Sequence, residues 1–280
     1  MNPRISICLP TYNGEVWIAE TIQSVLDQTF TNWELIISDD ASTDGTREIV
    51  RQFLTADPRI VYNQQQIRCG AGQNWNTLLS LASSKFVKLL GQDDILYPKC
   101  LEMTLPAIEQ DPKINLVVGC RDVINANSEV VMRKRGLGGM IGVIHGPDAI
   151  RKTILTGSNI LGEPSFAIFR RSILLDCGGF DLRWNYLIDI AAYASVLKDA
   201  NLYAVDSSLG AFRVSLTSWS STLAKTQSIE FRALSHYLFQ KEMYKLSRID
   251  IVRSNVNSYI KTMLRRIVTI YINRDKLKNV

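Results

Sequence analysis

Leu35-Ile36-Ile37-Ser38-Asp39-Asp40-Ala41-Ser42-Thr43-Asp44-Gly45 and Phe86-Val87-Lys88-Leu89-Leu90-Gly91-Gln92-Asp93-Asp94 share one pattern, an aliphatic run that stops at two adjacent aspartates. Short branched runs ended by polar residues have the signature of buried strands in a parallel sheet. Ligands of such sheets sit outside the carboxyl ends of the strands, so both acidic pairs are expected at one crevice. Four carboxylates there repel one another unless a cation, or N–H and O–H donors, lie between them. Aspartates at loop starts also cap helices and form turns. That role accounts for Ser42, Asp44 and Gly45 but does not require two acids side by side.

The pattern extends in both directions from these two strands. Ile5 to Leu9 is a first strand, expected to stop at Pro10, and Ile18, Ile22, Val25 and Leu26 recur at helical spacing. Thr46–Leu54 reads as a second helix, Arg59–Tyr62 as a third strand, Trp75–Ala82 as a third helix and Leu116–Gly119 as a fifth strand. Strict alternation of strand and helix predicts an α/β fold, a Rossmann-like and mostly parallel sheet with helices on both faces. Beyond residue 120 the alternation loosens, and the glycine-rich stretches Arg133–Gly139 and Gly157–Gly162 read as mobile loops. From about Ile229 the pattern is helical to the end. Val256, Tyr259, Ile260, Met263, Leu264, Ile267 and Tyr271 form one apolar stripe, expected to pack on the domain. Lys261, Arg265, Arg266, Arg274, Lys276 and Lys278 supply a basic face suited to an anionic membrane surface. The expected organisation is a main domain over 1–220, with halves 1–120 and 121–220, followed by a helical extension over 221–280.

Composition narrows the chemistry. At 280 residues, 46% hydrophobic and a net charge of +5, the chain can bury a sizeable core and is too weakly basic for a nucleic-acid binder. Cys8, Cys69, Cys100, Cys120 and Cys177 are odd in number and scattered, which indicates neither a disulfide framework nor a zinc site. The N-terminal segment has no signal-peptide pattern and no apolar run is long enough to span a bilayer, so a cytoplasmic protein is expected, peripheral on the inner face of the plasma membrane if it meets lipid. His145 and His236 are the only histidines. A multi-histidine metal site is thereby excluded, and the chemistry falls to carboxylates and an oxygen-bound metal. Gly136–Gly142 has the wrong spacing for a dinucleotide fingerprint, and no P-loop motif occurs.

Pro10-Thr11-Tyr12-Asn13, Ile37 to Thr46 and Leu90-Gly91-Gln92-Asp93-Asp94, in that order, resemble family 2 glycosyltransferases of the GT-A fold and of the bacterial polysaccharide type. The resemblance covers residues 4 to about 215, and Gln28-Thr29-Phe30, Phe166–Arg171, Gly178–Asp181 and Phe212-Arg213 agree with it. It implies that Pro10, Thr11 and Tyr12 hold the nucleotide base, with the Tyr12 ring available for stacking, and that Asp40 accepts a hydrogen bond from the base. Arg68 is either a nucleotide or diphosphate contact or a solvated loop arginine. Gln92-Asp93-Asp94 matches the segment that carries the family's DxD motif, placing Asp94 on a divalent metal and Asp93 near the ribose. Gln92 stands where the family has an acid, which leaves the site one charge poorer for the implied Mn²⁺ or Mg²⁺.

Tyr186–Tyr193 matches the segment with the family's catalytic base, and Asp189 is its only acid; an acid in the first turn of a helix is also favoured by the macrodipole. Glu163 is implied on the acceptor side, with a buried turn acid as the alternative. Trp184, Tyr186 and Trp219 are aromatics that either stack on sugars or pack in the core. Where many members have histidine after Phe212-Arg213-Val214, this chain has Ser215. The resemblance implies an inverting, metal-dependent hexosyl- or deoxyhexosyltransferase. It would use a UDP-, dTDP- or GDP-sugar and a saccharide or lipid-linked acceptor. A glycoside hydrolase and a non-catalytic nucleotide-sugar-binding protein or partner subunit are the competing classes.

Overall fold

A computed structural model describes residues 2–214 and 226–272 of the chain. Ser215, Trp219, Arg274, Lys276 and Lys278, and the side chains of Arg266 and Tyr271, lie outside the described residues. The first half follows the alternation: β1 (Ile5–Thr11), α1 (Ile18–Leu26), β2 (Trp33–Asp39), α2 (Thr46–Ala56), β3 (Ile60–Gln64), α3 (Ala71–Leu81) and β4 (Phe86–Leu89). Next come β5 (Ile95–Leu96), α4 (Cys100–Gln110), β6 (Ile114–Ile124), β7 (Val130–Arg135), β8 (Gly142–His145) and α5 (Gly146–Thr156). The rest comprises β9 (Ala167–Arg170), α6 (Arg171–Asp176), α7 (Ile188–Val196), β10 (Asn201–Arg213), α8 (Gln227–Gln240) and α9 (Arg248–Ile272).

One sheet carries all the described strands in the order β3-β2-β1-β4-β9-β6-β10-β5, with β7 paired to β6 and β8 to β10. β1, β2, β3 and β4 are parallel neighbours. β9 runs antiparallel between β4 and β6, so the fifth strand expected from Leu116–Gly119 lies one position away from β4. Side chains alternate across the sheet with a period of two. Ile5, Ile7 and Leu9 of β1 join α1 and α4 in one core, while Cys8 points into the other with α3, α5, α7 and α8.

Three expectations change. Pro10 does not stop β1, which runs through Thr11; pairing with β4 ends at Cys8, so the missing N–H at Pro10 breaks no ladder bond on that side. Arg133, Lys134 and Arg135 are strand rather than loop, because β7 pairs antiparallel with β6. Val256, Tyr259, Ile260, Met263, Leu264 and Ile267 do not pack on the domain: all are exposed, and α9 docks instead through Ile251, Ser254, Ser258 and Thr262.

Candidate active site

β1 and β2 are in register through Thr11 and Asp39, which puts the loops after both strands side by side at the carboxyl edge. The Asp40 N–H donates to the Thr11 carbonyl at 2.9 Å. Of the first acidic pair, Asp39 is spent on structure: its buried carboxylate accepts the Ser42 N–H at 2.9 Å and the Tyr62 hydroxyl at 2.6 Å. Asp40 is also buried and accepts the N–H groups of Cys69 and Gly70, at 2.6 and 2.9 Å. A carboxylate offers about four acceptor sites, so two stay available. Gly70 takes φ +87°, a left-handed conformation that lets the chain turn into α3 while aiming its N–H at Asp40. Arg68 lies with its guanidinium 3.9 Å from the centre of the Tyr12 ring and its Nε 3.9 Å from Asp40. Tyr12, Asp40 and Arg68 are therefore one cluster.

Gln92 braces that cluster. Its Oε1 accepts the Thr11 hydroxyl at 2.6 Å and the Tyr12 N–H at 2.9 Å, and its Nε2 donates to the Tyr12 carbonyl at 3.2 Å. The side chain that replaces an acid thus ties the Tyr12 loop to the loop after β4. An amide suits this work, because it donates and accepts at once whereas a carboxylate only accepts.

Asp94 is buried at the end of the same loop. Its Oδ2 accepts the Ser165 hydroxyl at 2.5 Å, its Oδ1 accepts the Arg213 N–H at 3.1 Å, and Ser165 Oγ in turn accepts the Gly91 N–H at 2.9 Å. Burial pushes the Asp93 carboxyl up to about 6, and burial followed by the charge of Asp93 raises Asp94 as well. Two neighbouring carboxyls made acidic only with difficulty are a site that a cation would stabilise. Among the described residues no group of three or more His, Cys, Asp or Glu is arranged to hold a metal. The pair matches the sparser arrangement of Mg²⁺-type sites, where one or two carboxylates are completed by substrate phosphates and water.

Arg213 holds this corner together. Fully buried, it donates from Nε to the Asp93 carbonyl at 2.9 Å, from Nη1 to Asn125 O and Ser128 Oγ, and from Nη2 to Glu20 at 2.6 Å. Its partners come from three separate segments of the chain.

Asp189 is in the first turn of α7, half-buried. Its Oδ2 accepts the Asn159 Nδ2–H at 2.6 Å and its Oδ1 the Ile190 N–H at 2.7 Å. Burial, and then the charge of Glu163, push its carboxyl up to about 7. Asn159 also orders the Gly157–Gly162 segment expected to be mobile: Oδ1 accepts the N–H groups of Leu161 and Gly162, and Nδ2 donates to the Gly162 carbonyl at 2.8 Å. Glu163 pairs with Arg121 through Nε at 2.6 Å and Nη2 at 3.0 Å. The segment 159–165 links the two acids: Asn159 bonds Asp189, Ser165 bonds Asp94, and Glu163 lies between them in the chain, with its charge raising both carboxyls. Trp184 packs against Tyr237 and the core, the packing role that the sequence left open. Tyr186 donates its hydroxyl to Gln227 and accepts a bond from Arg265 of α9. Gln92 as a brace, Arg121, Asn159 and Ser165 carry no signature in a single sequence, since each acts through a partner 30 or more positions away.

The family model described as Glycosyl transferase family 2 matches residues 6–178, more than half of the chain. The chain belongs to that family. Among its relatives is the UDP-Glc:alpha-D-GlcNAc-diphosphoundecaprenol beta-1,3-glucosyltransferase WfgD of Escherichia coli, 30% identical over 236 residues, which are 84% of this chain and 86% of that protein. An uncharacterized protein of Mycobacterium tuberculosis is 29% identical over 194 residues, and the match spans only 60% of its length. Two solved neighbours share the fold: mannosyltransferase PcManGT from Pyrobaculum calidifontis in complex with GDP-Man and Mn²⁺ (TM-score 0.65, 18% identity, 85% of this chain and 65% of that one), and Staphylococcus aureus TarS 1-349 in complex with UDP-GlcNAc (TM-score 0.63, 19% identity, 81% and 66%). These likenesses establish the GT-A architecture expected from the motifs.

Proposed function

We propose that the chain is an inverting glycosyltransferase that moves a sugar from a nucleoside-diphosphate donor to a hydroxyl of a saccharide or lipid-linked acceptor during surface polysaccharide synthesis. The observation that carries this reading is that one segment, 159–165, bonds both Asp94 through Ser165 and Asp189 through Asn159, while Gln92 of the Asp93–Asp94 loop bonds the Tyr12 loop that carries the Arg68 and Asp40 contacts. Residues 1–120 supply the donor side, residues 121–214 the acceptor side, and α8 and α9 form the helical extension.

Tyr12 stacks on the base with Arg68 against it, Asp40 accepts a base N–H, Pro10 and Thr11 shape the floor, and Asp93 reaches the ribose. Asp94, with Asp93 beside it, would hold Mn²⁺ or Mg²⁺, which when bound neutralises charge on the diphosphate leaving group. Asp189 takes the proton from the acceptor hydroxyl as the new bond forms on the face opposite the leaving group. A carboxyl near 7 suits that role, since a base works best with a pKa close to the operating pH. Arg121 holds Glu163 in place through two contacts, so that the Glu163 side chain bears on the proton-accepting carboxylate. Trp184 would contribute to the acceptor side as packing beneath it.

The donor classes in view are UDP-, dTDP- and GDP-sugars, with hexosyl or deoxyhexosyl groups. WfgD, by its name, uses UDP-Glc and a diphosphoundecaprenol-linked acceptor. That relative supports a lipid-linked acceptor and a place at the inner face of the plasma membrane. No described helix is long and apolar enough to cross a membrane, so contact there would be peripheral. Incubation with a panel of nucleotide sugars and lipid-linked acceptors, followed by NMR of the product, tests the proposal. Inverted anomeric configuration supports it, and retained configuration contradicts the role of Asp189.

A further inference from the structure

Helix α9 is built inside out. Apart from Ile251, its inward face is short and polar: Ser254 meets Ser235 at 2.9 Å, Asn257 donates to the Leu155 carbonyl at 2.7 Å, and Asp250 pairs with Arg151 at 2.9 Å. Gly157 makes this close seat possible, because a Cβ there would lie 2.3 Å from the Ser258 backbone nitrogen. The outward face is apolar: Val252, Val256, Tyr259, Ile260, Met263 and Ile267 are each between 47% and 64% exposed. Side chains three and four apart lie on one side of a helix, so these form a strip from Val252 to Ile267, about 24 Å long, on the 25-residue helix. A helix that turns its small polar residues to the protein and its large apolar ones to solvent has its second surface still to bury.

We propose that this strip is a docking surface for an anionic lipid bilayer, with α9 lying flat in the headgroup layer. Charge selects that occupant. Arg248, Arg253 and Lys261 stand exposed on α9, while its one acid, Asp250, is turned inward onto Arg151. Pairing the strip with a second copy would set two helices of net positive charge side by side, whereas anionic headgroups neutralise that charge. Long basic side chains keep their charge in the headgroup layer while their stems add apolar contact. Arg265 reaches from the same helix to the Tyr186 hydroxyl, three positions before Asp189, so the strip ends beside the acceptor side of the site. This deepens the transferase reading above by giving its acceptor a surface, and rests on it only for that purpose.

Flotation of the full chain with phosphatidylcholine vesicles, with and without phosphatidylglycerol, tests the inference alongside the Ile260→Glu/Met263→Glu variant. The chain is expected to float with the anionic vesicles and remain below with the neutral ones, and added salt is expected to release it. The variant is expected to lose at least about tenfold in partitioning, with an unchanged circular dichroism spectrum and unchanged nucleotide binding. The inference is overturned if the chain ignores anionic vesicles or if the variant floats equally well. It is also overturned if the chain sediments as a dimer that the variant dissociates while neither form floats. Flotation without sugar transfer would sink the transferase reading alone.

Discussion

Asn159 offsets part of the burial that raises the Asp189 carboxyl, and its replacement has a calculable consequence. Its Nδ2–H donates to Asp189 Oδ2 at 2.6 Å, a bond that favours the ionised form. A hydrogen bond to a charged group contributes about 1.5–3 kcal/mol, part of which water recovers when the donor is removed. At about 1.4 kcal/mol per pH unit, Asn159→Ala is expected to move the acid limb of kcat/KM up by about one unit. With Asp189 near 7, that lowers the ionised fraction at pH 7 about fivefold and leaves activity at pH 9 nearly intact. Asn159→Asp keeps an oxygen for the Leu161 and Gly162 N–H groups but sets a second carboxylate against Asp189. The limb should then move further in the same direction, because neighbouring carboxyls resist double ionisation. The other groups facing Asp189 are Glu163 with its Arg121 partner, Tyr193, and Tyr186 with Arg265. None is altered by either change. The assay is kcat/KM against pH for both variants and the parent. A uniform loss at every pH, with the limb in place, would refute the reasoning and leave Asn159 as a loop anchor.

Asp189→Asn should bind nucleoside diphosphate like the parent and lose at least about a hundredfold in transfer, the usual scale of general-base catalysis, as measured by single-turnover kinetics. Gln92→Ala removes three hydrogen bonds to Thr11 and Tyr12 and should weaken diphosphate binding about tenfold by calorimetry, at about 0.5–1.5 kcal/mol per bond shared between stability and binding. Gly157→Ala places a Cβ against the Ser258 backbone at a residue with φ +70°, and should lower stability by about 2–4 kcal/mol in urea melts while leaving diphosphate binding in the surviving folded fraction unchanged.

The first half of the fold was legible because each strand from Ile5 to Leu90 is a short aliphatic run ended by turn residues, and each helix between them shows its apolar face at regular spacing. β9 was not: Ala167-Ile168-Phe169-Arg170 looks like any buried run, and its insertion between β4 and β6 depends on pairing across about 50 to 80 positions. β7 was misread because Arg133, Lys134 and Arg135 are hydrophilic, yet an edge strand exposed on both faces needs no apolar side chains. The stripe on α9 was found, but periodicity gives only the existence of an apolar face and not which way it points. Asp40 and Asp94 could be proposed from a resemblance of ordered motifs. The partners that set their environment, Gln92, Ser165 and Arg213, emerge only when distant segments meet. Asp39 shows the opposite case, since the turn role open to the first acidic pair is the one its contacts display.

Calorimetric titration of the full chain with UDP, GDP, dTDP and CMP, each with and without Mn²⁺, bears most directly on the donor site. The account predicts that one diphosphate binds in a metal-dependent manner, that Asp94→Ala abolishes the metal dependence, and that Asp189→Asn changes neither. Failure of every nucleotide to bind, or identical metal-dependent binding by Asp94→Ala, would contradict it.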